Sequence, residues 1–112
     1  MFVKPASGWT NMTETAKLTS RDAKCYYFGD SLAISGRTVV VGCPAARLPN
    51  LNQGAAYVFV KPMKGWETTS RYTARLTASD GQGFDELGTG VAVAGDTIAA
   101  GAIQWDRGPG AV

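Results

Sequence analysis

The chain has 112 residues, of which 45% are hydrophobic and 18% charged, so it can form one compact core and lies far from the composition of disordered proteins. A net charge of +2 with scattered basic residues predicts no nucleic-acid partner, and the lack of a long apolar run predicts no membrane insertion. The chain contains no histidine, the commonest general base near neutral pH and the commonest zinc ligand.

The chain consists of two copies of one unit. The stretch "YFGDSLAISGRTVVVGCP" at 27–44 returns as "ELGTGVAVAGDTIAAGAI" at 86–103. Three shorter matches accompany it: "FVKPASGW" at 2–9 with "FVKPMKGW" at 59–66, "AKLTSRD" at 16–22 with "ARLTASD" at 74–80, and "GAA" at 54–56 with "GAV" at 110–112. Because the offset drifts only from 56 to 59 residues, we divide the chain into tandem repeats 1–58 and 59–112.

Each repeat is predicted to contain a tight β-hairpin. The first strand, about Asp30–Ile34 or Thr89–Val93, alternates larger and smaller apolar residues. The second strand, Val39–Gly42 or Ile98–Gly101, is continuously apolar, which indicates burial on both faces. Between the two strands lie "SGRT" and "AGDT", whose Gly-X centres are typical of a two-residue turn with positive φ at the glycine.

Two further strands complete the predicted sheet of each repeat. The third is "AAYVFV" at 55–60, and the fourth is "YTARLT" at 72–77 or "TETAKLT" at 13–19. The fourth strand alternates apolar residues with Arg75 or Lys17, a pattern typical of a half-solvated edge strand that a charge protects from further pairing. Four short antiparallel strands whose inner members are buried on both faces describe one blade of a β-propeller, in which neighbouring blades cover those faces.

Short motifs recur at fixed places in the predicted sheet. Phe28 and Gly29 precede the first strand, Gly42, Cys43 and Pro44 end the second, and Gly54, Tyr57 and Phe59 belong to the third. Together these motifs resemble the FG-GAP repeat, the blade unit of integrin-α-type propellers and of many extracellular and bacterial surface proteins. The resemblance implies an all-β propeller fold with two four-stranded antiparallel blades in this chain. The second copy has Leu87-Gly88 and Gly101-Ala102-Ile103 at these places and matches less closely.

Many FG-GAP repeats carry an acidic calcium loop between the first two strands, and this chain departs from that pattern. Calcium takes about six to eight oxygen ligands, whereas the turns "SGRT" and "AGDT" offer at most Asp96. We therefore expect no metal at this turn and no cofactor. Asp80, Asp85 and Glu86 in "SDGQGFDELG" are an alternative, weak cation site, but we favour a solvated loop between blades.

The two cysteines, Cys25 and Cys43, are both present in the first copy and both absent from the second. Both are expected at the same end of the blade, so either they form a disulfide or they are two free buried thiols. A disulfide would fit an extracellular or cell-surface location. The N-terminal "MFVKPASGW" is unlike a signal peptide, which leaves either a cytosolic protein or a mature or excised segment, and we favour the latter. Asn11 in "NMT" is a candidate glycosylation site.

Three tryptophans are candidate ligand contacts. Trp9 and Trp66 occupy equivalent Gly-Trp positions in the loop between the third and fourth strands, and Trp105 has no counterpart in the first copy. Exposed aromatic side chains in propeller loops stack on sugars in some lectins. For the equivalent pair we favour packing between blades, because a residue repeated in every unit suits a repeated contact.

The sequence shows no catalytic constellation, so we expect the chain not to be an enzyme. It has no histidine, no nucleophile beside an identifiable base, and no phosphate-binding loop. Because function depends on a site rather than on a fold, we expect a non-catalytic module for structural assembly or protein–protein adhesion. A carbohydrate-binding propeller and a set of accessory repeats in a larger enzyme are the alternatives.

The third strand of one repeat is divided between "GAV" at 110–112 and "MFV" at 1–3. We expect other copies of the chain to complete it, in a head-to-tail ring of about three or four chains or in a filament. The alternative is that the remaining blades of a longer propeller cover these surfaces. We favour assembly, because uncovered blade faces would expose more than the few hundred Å² of apolar patch that monomers usually tolerate.

Overall fold

The structure, a computed structural model, describes residues 1–105 and 107–112, and none of these residues is helical. The prediction of an all-β chain is confirmed. Within the described residues there is accordingly no helix that could span a bilayer. The molecule is elongated, with extents of 51 × 27 × 25 Å. The strands are β1 (Cys25–Tyr26), β2 (Leu32–Ser35), β3 (Thr38–Cys43), β4 (Ala45–Ala46), β5 (Ala55–Val60), β6 (Ala74–Leu76), β7 (Gly90–Ala94) and β8 (Thr97–Gly101).

The central element is an antiparallel sheet of four strands in the order β2-β3-β5-β6. The β2–β3 hairpin turns at Gly36, whose φ of 54° confirms the positive-φ turn, and β3 pairs with β5 along its whole length. Residues 39–43 of β3 are all buried, which confirms the prediction that this strand is covered on both faces. We call this sheet the complete blade.

The second repeat does not form a four-stranded sheet within the chain. Strands β7 and β8 make a two-stranded hairpin with its turn at Gly95, and only the bridge between Ala102 and Ala111 continues the pairing beyond β8. Of the two predicted four-stranded blades, the described residues contain one, and the second repeat supplies two paired strands and this bridge. Because the described residues contain only the start of a strand equivalent to β5 beside β8, at Ala111, β8 remains partly exposed and is not buried on both faces. The sheets are open, and no ring of blades closes within the described residues.

The N-terminal segment, residues 1–19, has a hydrogen bond like that between the third and fourth strands of the complete blade. The Val3 amide donates a hydrogen bond to Thr15 Oγ1 at 3.0 Å, as the Val60 amide does to Thr73 Oγ1 at 3.2 Å in the complete blade. The predicted strand at 13–19 is reduced to a single bridge between Leu18 and Thr69. The boundary between repeats 1–58 and 59–112 falls inside β5, so the repeats are units of sequence and not of the sheet.

The core lies between the complete blade and the N-terminal segment. Its main side chains, Val39, Val41, Tyr57 and Phe59, are at most 5% exposed, and Met1 and Leu18 of the N-terminal segment pack against them. Phe28 meets both Tyr57 and Phe59 edge-on, with ring centroids 5.7 and 6.1 Å apart. These side chains are the ones that the alternating pattern of β3 and β5 assigns to a single face.

The β7–β8 hairpin packs on the opposite face of the complete blade. The chain makes its closest approach at Gly42 and Gly88, where a Cβ atom on Gly42 would overlap the carbonyl oxygen of Gly88 and the hydroxyl of Ser31. Ser31 Oγ donates a hydrogen bond of 2.7 Å to the same carbonyl oxygen. The glycine of the predicted GAP motif is therefore required for the contact between the two repeats.

Replacing Gly42 tests this contact. We expect Gly42→Ala to lower the free energy of unfolding by about 1–3 kcal/mol, because the added methyl group overpacks the junction. Gly101→Ala is the matched control, since Gly101 is the equivalent residue of the second repeat and its nearest neighbour to a new Cβ is the Gly90 oxygen at 3.8 Å. Urea denaturation of both variants measures the difference, and equal effects would contradict the close packing of the repeats.

Candidate functional site

A disulfide joins Cys25 and Cys43, with their Cα atoms 6.1 Å apart. The sequence was compatible with either a disulfide or two free thiols, and the structure contains the disulfide. Cys25 lies in the short strand β1, which pairs with β4 immediately after the end of β3. The disulfide thus ties the segment that enters the complete blade to the end of its second strand.

Asp22 is the centre of a hydrogen-bond network that sequence reasoning did not identify. Its carboxylate accepts hydrogen bonds from the hydroxyl groups of Tyr57 at 2.9 Å and Tyr72 at 3.2 Å, and it forms an ion pair of 3.0 Å with Arg75. The guanidinium of Arg21 lies 4.9 Å from the centre of the Tyr72 ring. Asp22 follows the N-terminal segment, so these contacts join that segment to β5 and β6.

The network sets the charge state of its members. Burial acts to raise the pKa of Asp22, but the hydrogen bonds from Tyr57, Arg75 and Tyr72 outweigh it and hold the pKa below the usual value of 3.8. Burial, followed by the hydrogen bond to Asp22, raises the pKa of Tyr57. At neutral pH the site therefore contains a carboxylate and a protonated phenol, joined to a permanently charged guanidinium.

The acidic loop differs from its predicted form. Asp85 is only 2% exposed and forms a two-pronged ion pair with Arg107, whose nearest nitrogen is 2.7 Å away. The hydrogen bonds from Arg107 lower the pKa of Asp85, opposed by burial and assisted by the Gln82 amide. The prediction of a solvated loop is wrong for Asp85. Among residues 1–105 and 107–112, Asp80 and Glu86 do not join it in a group that could hold a metal ion.

The three tryptophans lie in different surroundings. Trp105 is 72% exposed and Trp9 is 66% exposed, whereas Trp66 packs against the core. The equivalence of Trp9 and Trp66 in sequence thus does not extend to their burial, because Trp66 has the complete blade beside it and Trp9 has only the incomplete N-terminal sheet. Asn11, the candidate glycosylation site, is exposed in the loop that follows Trp9.

An apolar groove lies on the face of the complete blade that carries Leu32 and Ile34. These two side chains are 67% and 58% exposed, although they point to the same face as the buried Val41 and Val39, their cross-strand partners. The groove has a volume of about 400 Å³. We call it the blade groove and define it by Met1, Leu18, Phe28, Leu32, Ile34 and Val39.

Comparison with known proteins agrees with this architecture. A family model described as the FG-GAP repeat matches residues 12–59 and 71–112. The chain belongs to the FG-GAP repeat family. A search of curated proteins and a search of solved structures found no match to the chain. Family membership and a disulfide are both typical of extracellular proteins.

The FG-GAP motif residues have structural roles in this chain. Phe28 packs edge-on against Tyr57 and Phe59, Gly42 permits the contact with Gly88, and Cys43 forms the disulfide. The sequence located these residues but gave no sign of Leu32 and Ile34 as a surface, because burial depends on a neighbouring sheet. The recurrence of Asp22 as Asp80 in the matched stretches was the one sequence signal that could have drawn attention to Asp22.

We expect the disulfide to be formed in every molecule and to stabilise the fold. Alkylation of the native protein without reductant is expected to label neither Cys25 nor Cys43. Since the bridge closes a loop with a sequence separation of 18, reduction should lower the free energy of unfolding by about 3 kcal/mol. Mass spectrometry and urea denaturation measure these effects, and labelling of both thiols in the native chain would contradict the bridge.

The Asp22 network should make stability depend on pH. At pH 7, Asp22→Asn should lower the free energy of unfolding by about 1 to 2 kcal/mol, because the charge-assisted hydrogen bonds are lost. The folded pKa of Asp22 is lowered, so its contribution is complete above the usual value of 3.8 and disappears as the pH falls through the folded pKa.

The difference between the wild type and Asp22→Asn should therefore shrink on acidification. Urea denaturation between pH 7 and about pH 2 measures it. Asp96→Asn is the control, because Asp96 is exposed in the turn between β7 and β8. A difference that stays constant down to the lowest pH would contradict the assigned hydrogen bonds.

Proposed function

We propose that the chain is a non-catalytic, extracellular propeller repeat module for structural assembly or protein–protein adhesion. The observation that carries the proposal is the blade groove, where Leu32 and Ile34 are more than half exposed on an otherwise buried face. Apolar residues gathered on one sheet face are typical of surfaces that another protein segment covers. The disulfide and the FG-GAP family support the extracellular setting.

The arrangement of charged groups supports a non-catalytic role. Asp22 and Asp85 each have a hydrogen-bonded arginine partner, and each joins two segments of the chain. Catalytic carboxylates instead face a cleft in which a substrate can reach them. The blade groove is lined by apolar side chains, which suits docking of another protein surface and offers no acid or base to a reaction.

Carbohydrate binding is a second candidate function, favoured by the exposure of Trp105. An indole that is 72% exposed offers a flat apolar face to a sugar ring. Glycan-array binding that Trp105→Ala abolishes would support this candidate, and Trp9→Ala is a matched control because Trp9 is 66% exposed in another loop. A role as accessory repeats of a larger enzyme has no specific observation in its favour.

The native mass in solution tests the assembly function. We expect the chain of 11.8 kDa to form larger species at micromolar concentration, because apolar faces become buried on association. Light scattering coupled to gel filtration measures the mass, and mild dilution should return smaller species. A monodisperse monomer of 11.8 kDa throughout the micromolar range would contradict assembly.

A further inference from the structure

We propose that the blade groove of one copy of the chain binds the β7–β8 hairpin of a second copy. The second copy's hairpin then lies beside the N-terminal segment of the first, and the two together form one four-stranded blade. The proposal rests on the assembly function and specifies its contact surface. Four observations on this chain support it, namely an internal contact of the same kind, complementary shape, unpaired strand edges and complementary charge.

The chain already contains one contact of the proposed kind. The β7–β8 hairpin packs on β2 and β3 of the complete blade, and the contact is fixed by Gly42, Gly88 and the hydroxyl of Ser31. The side of β7 that carries Val91 and Val93 is half-buried in this contact, while the alternate residues are exposed. When the hairpin of a second copy docks into the blade groove, it makes a contact of the same kind on the other face of the complete blade.

The two free surfaces are complementary in shape. Besides Gly90 and Thr97, the exposed side of the hairpin carries three alanines on its strands, Ala92, Ala94 and Ala99. Their equivalents in the complete blade are Ala33, Ser35 and Val40, which lie on the side opposite the core, toward the internal hairpin. In the blade groove, Leu32 and Ile34 are the equivalents of Val91 and Val93 and project from an otherwise covered face. Large side chains on one copy thus meet small ones on the other.

The strand edges also match. In the complete blade, Thr38 of β3 pairs with Val60 of β5. The equivalents of these two residues are Thr97 of β8 and Val3 of the N-terminal segment, which carry no strand pairing to each other. Val3 already makes the hydrogen bond to Thr15 that its equivalent Val60 makes to Thr73. A hairpin in the groove would therefore place β8 of one copy beside Val3 of the other copy, in the register that β3 and β5 have in the complete blade.

Charge complementarity follows from the same equivalence. Within the chain, Asp22 and Arg75 form the ion pair that links the N-terminal segment to the complete blade. Their equivalents are Asp80 and Lys17, which would meet across the contact, Asp80 on the copy that contributes the hairpin and Lys17 on the copy that contributes the groove. Lys17 lies 3.4 Å from Glu14 of its own copy and would thus lie between two carboxylates.

The decisive experiment is a charge exchange followed by sedimentation velocity. Asp80→Lys and Lys17→Glu should each weaken association about tenfold, because each places like charges opposite each other. An equimolar mixture of the two variants should regain wild-type association, since every contact between unlike copies then pairs opposite charges. Lys64→Glu is the control for a reversal of charge, because Lys64 is exposed in the turn after β5 and is not among the residues that line the blade groove.

A substitution in the groove provides a second, independent measurement. Ile34→Lys should weaken association by at least tenfold, because the hairpin would bury an unpaired charge. Met63→Lys is the matched control, since Met63 is 89% exposed outside the groove. Far-UV circular dichroism and the absence of free thiols establish that each variant is folded, which is expected because Ile34 is already 58% exposed.

The outcomes separate this proposal from the assembly function. If the wild type associates but the charge variants and Ile34→Lys associate equally well, the docking mode is wrong and assembly stands. If each charge variant is weakened and the mixture is not restored, the pairing of Asp80 with Lys17 is wrong. A wild type that remains monomeric throughout the micromolar range overturns both the docking mode and the assembly function.

Discussion

Face-to-face packing of neighbouring sheets is the constraint on which the rest of this structure depends. A short antiparallel sheet with apolar residues on both faces cannot bury them alone, so each face needs a second layer. The complete blade has the N-terminal segment on one face and the β7–β8 hairpin on the other. Where such a layer is present, as over Val39 and Val40, the side chains are buried. Where it ends, as at Leu32 and Ile34, they are exposed.

Polar contacts fix the position of one repeat on the next. Apolar packing is non-directional, so it does not by itself set the registration of two sheets. Asp22 fixes the orientation, because its carboxylate accepts hydrogen bonds from Tyr57 in β5, from Arg75 in β6 and from Tyr72, which precedes β6. The disulfide adds a covalent tie at the same entrance to the complete blade. Both devices act on the complete blade, which takes β2 and β3 from the first repeat and β6 from the second.

The sequence allowed the prediction of the hairpins, which depend on local pattern, but not of the strand at 13–19, which is reduced to one bridge. The β2–β3 and β7–β8 hairpins and the positive φ at Gly36 and Gly95 follow from the alternation of residue sizes and the position of glycines. The family was indicated by the resemblance of the short motifs to the FG-GAP repeat. The features that the sequence did not reveal depend on contacts between residues that are far apart in the chain. Asp85 was expected in solvent but is buried against Arg107. The sequence could not show this, because a charged side chain in a polar loop carries no local sign of its partner.

The same reasoning bears on what kind of partner these surfaces can accept. The blade groove and the edge of β8 are complementary in side-chain size and also in main-chain hydrogen bonding, and a free strand edge is satisfied best by another strand. A globular ligand without a free edge would leave the amides and carbonyls of β8 to water and would gain only apolar burial. Selective contact through this face therefore favours another repeat of the same type. Adhesion to unrelated molecules would instead involve the loops that present Trp9 and Trp105 away from the strand edges.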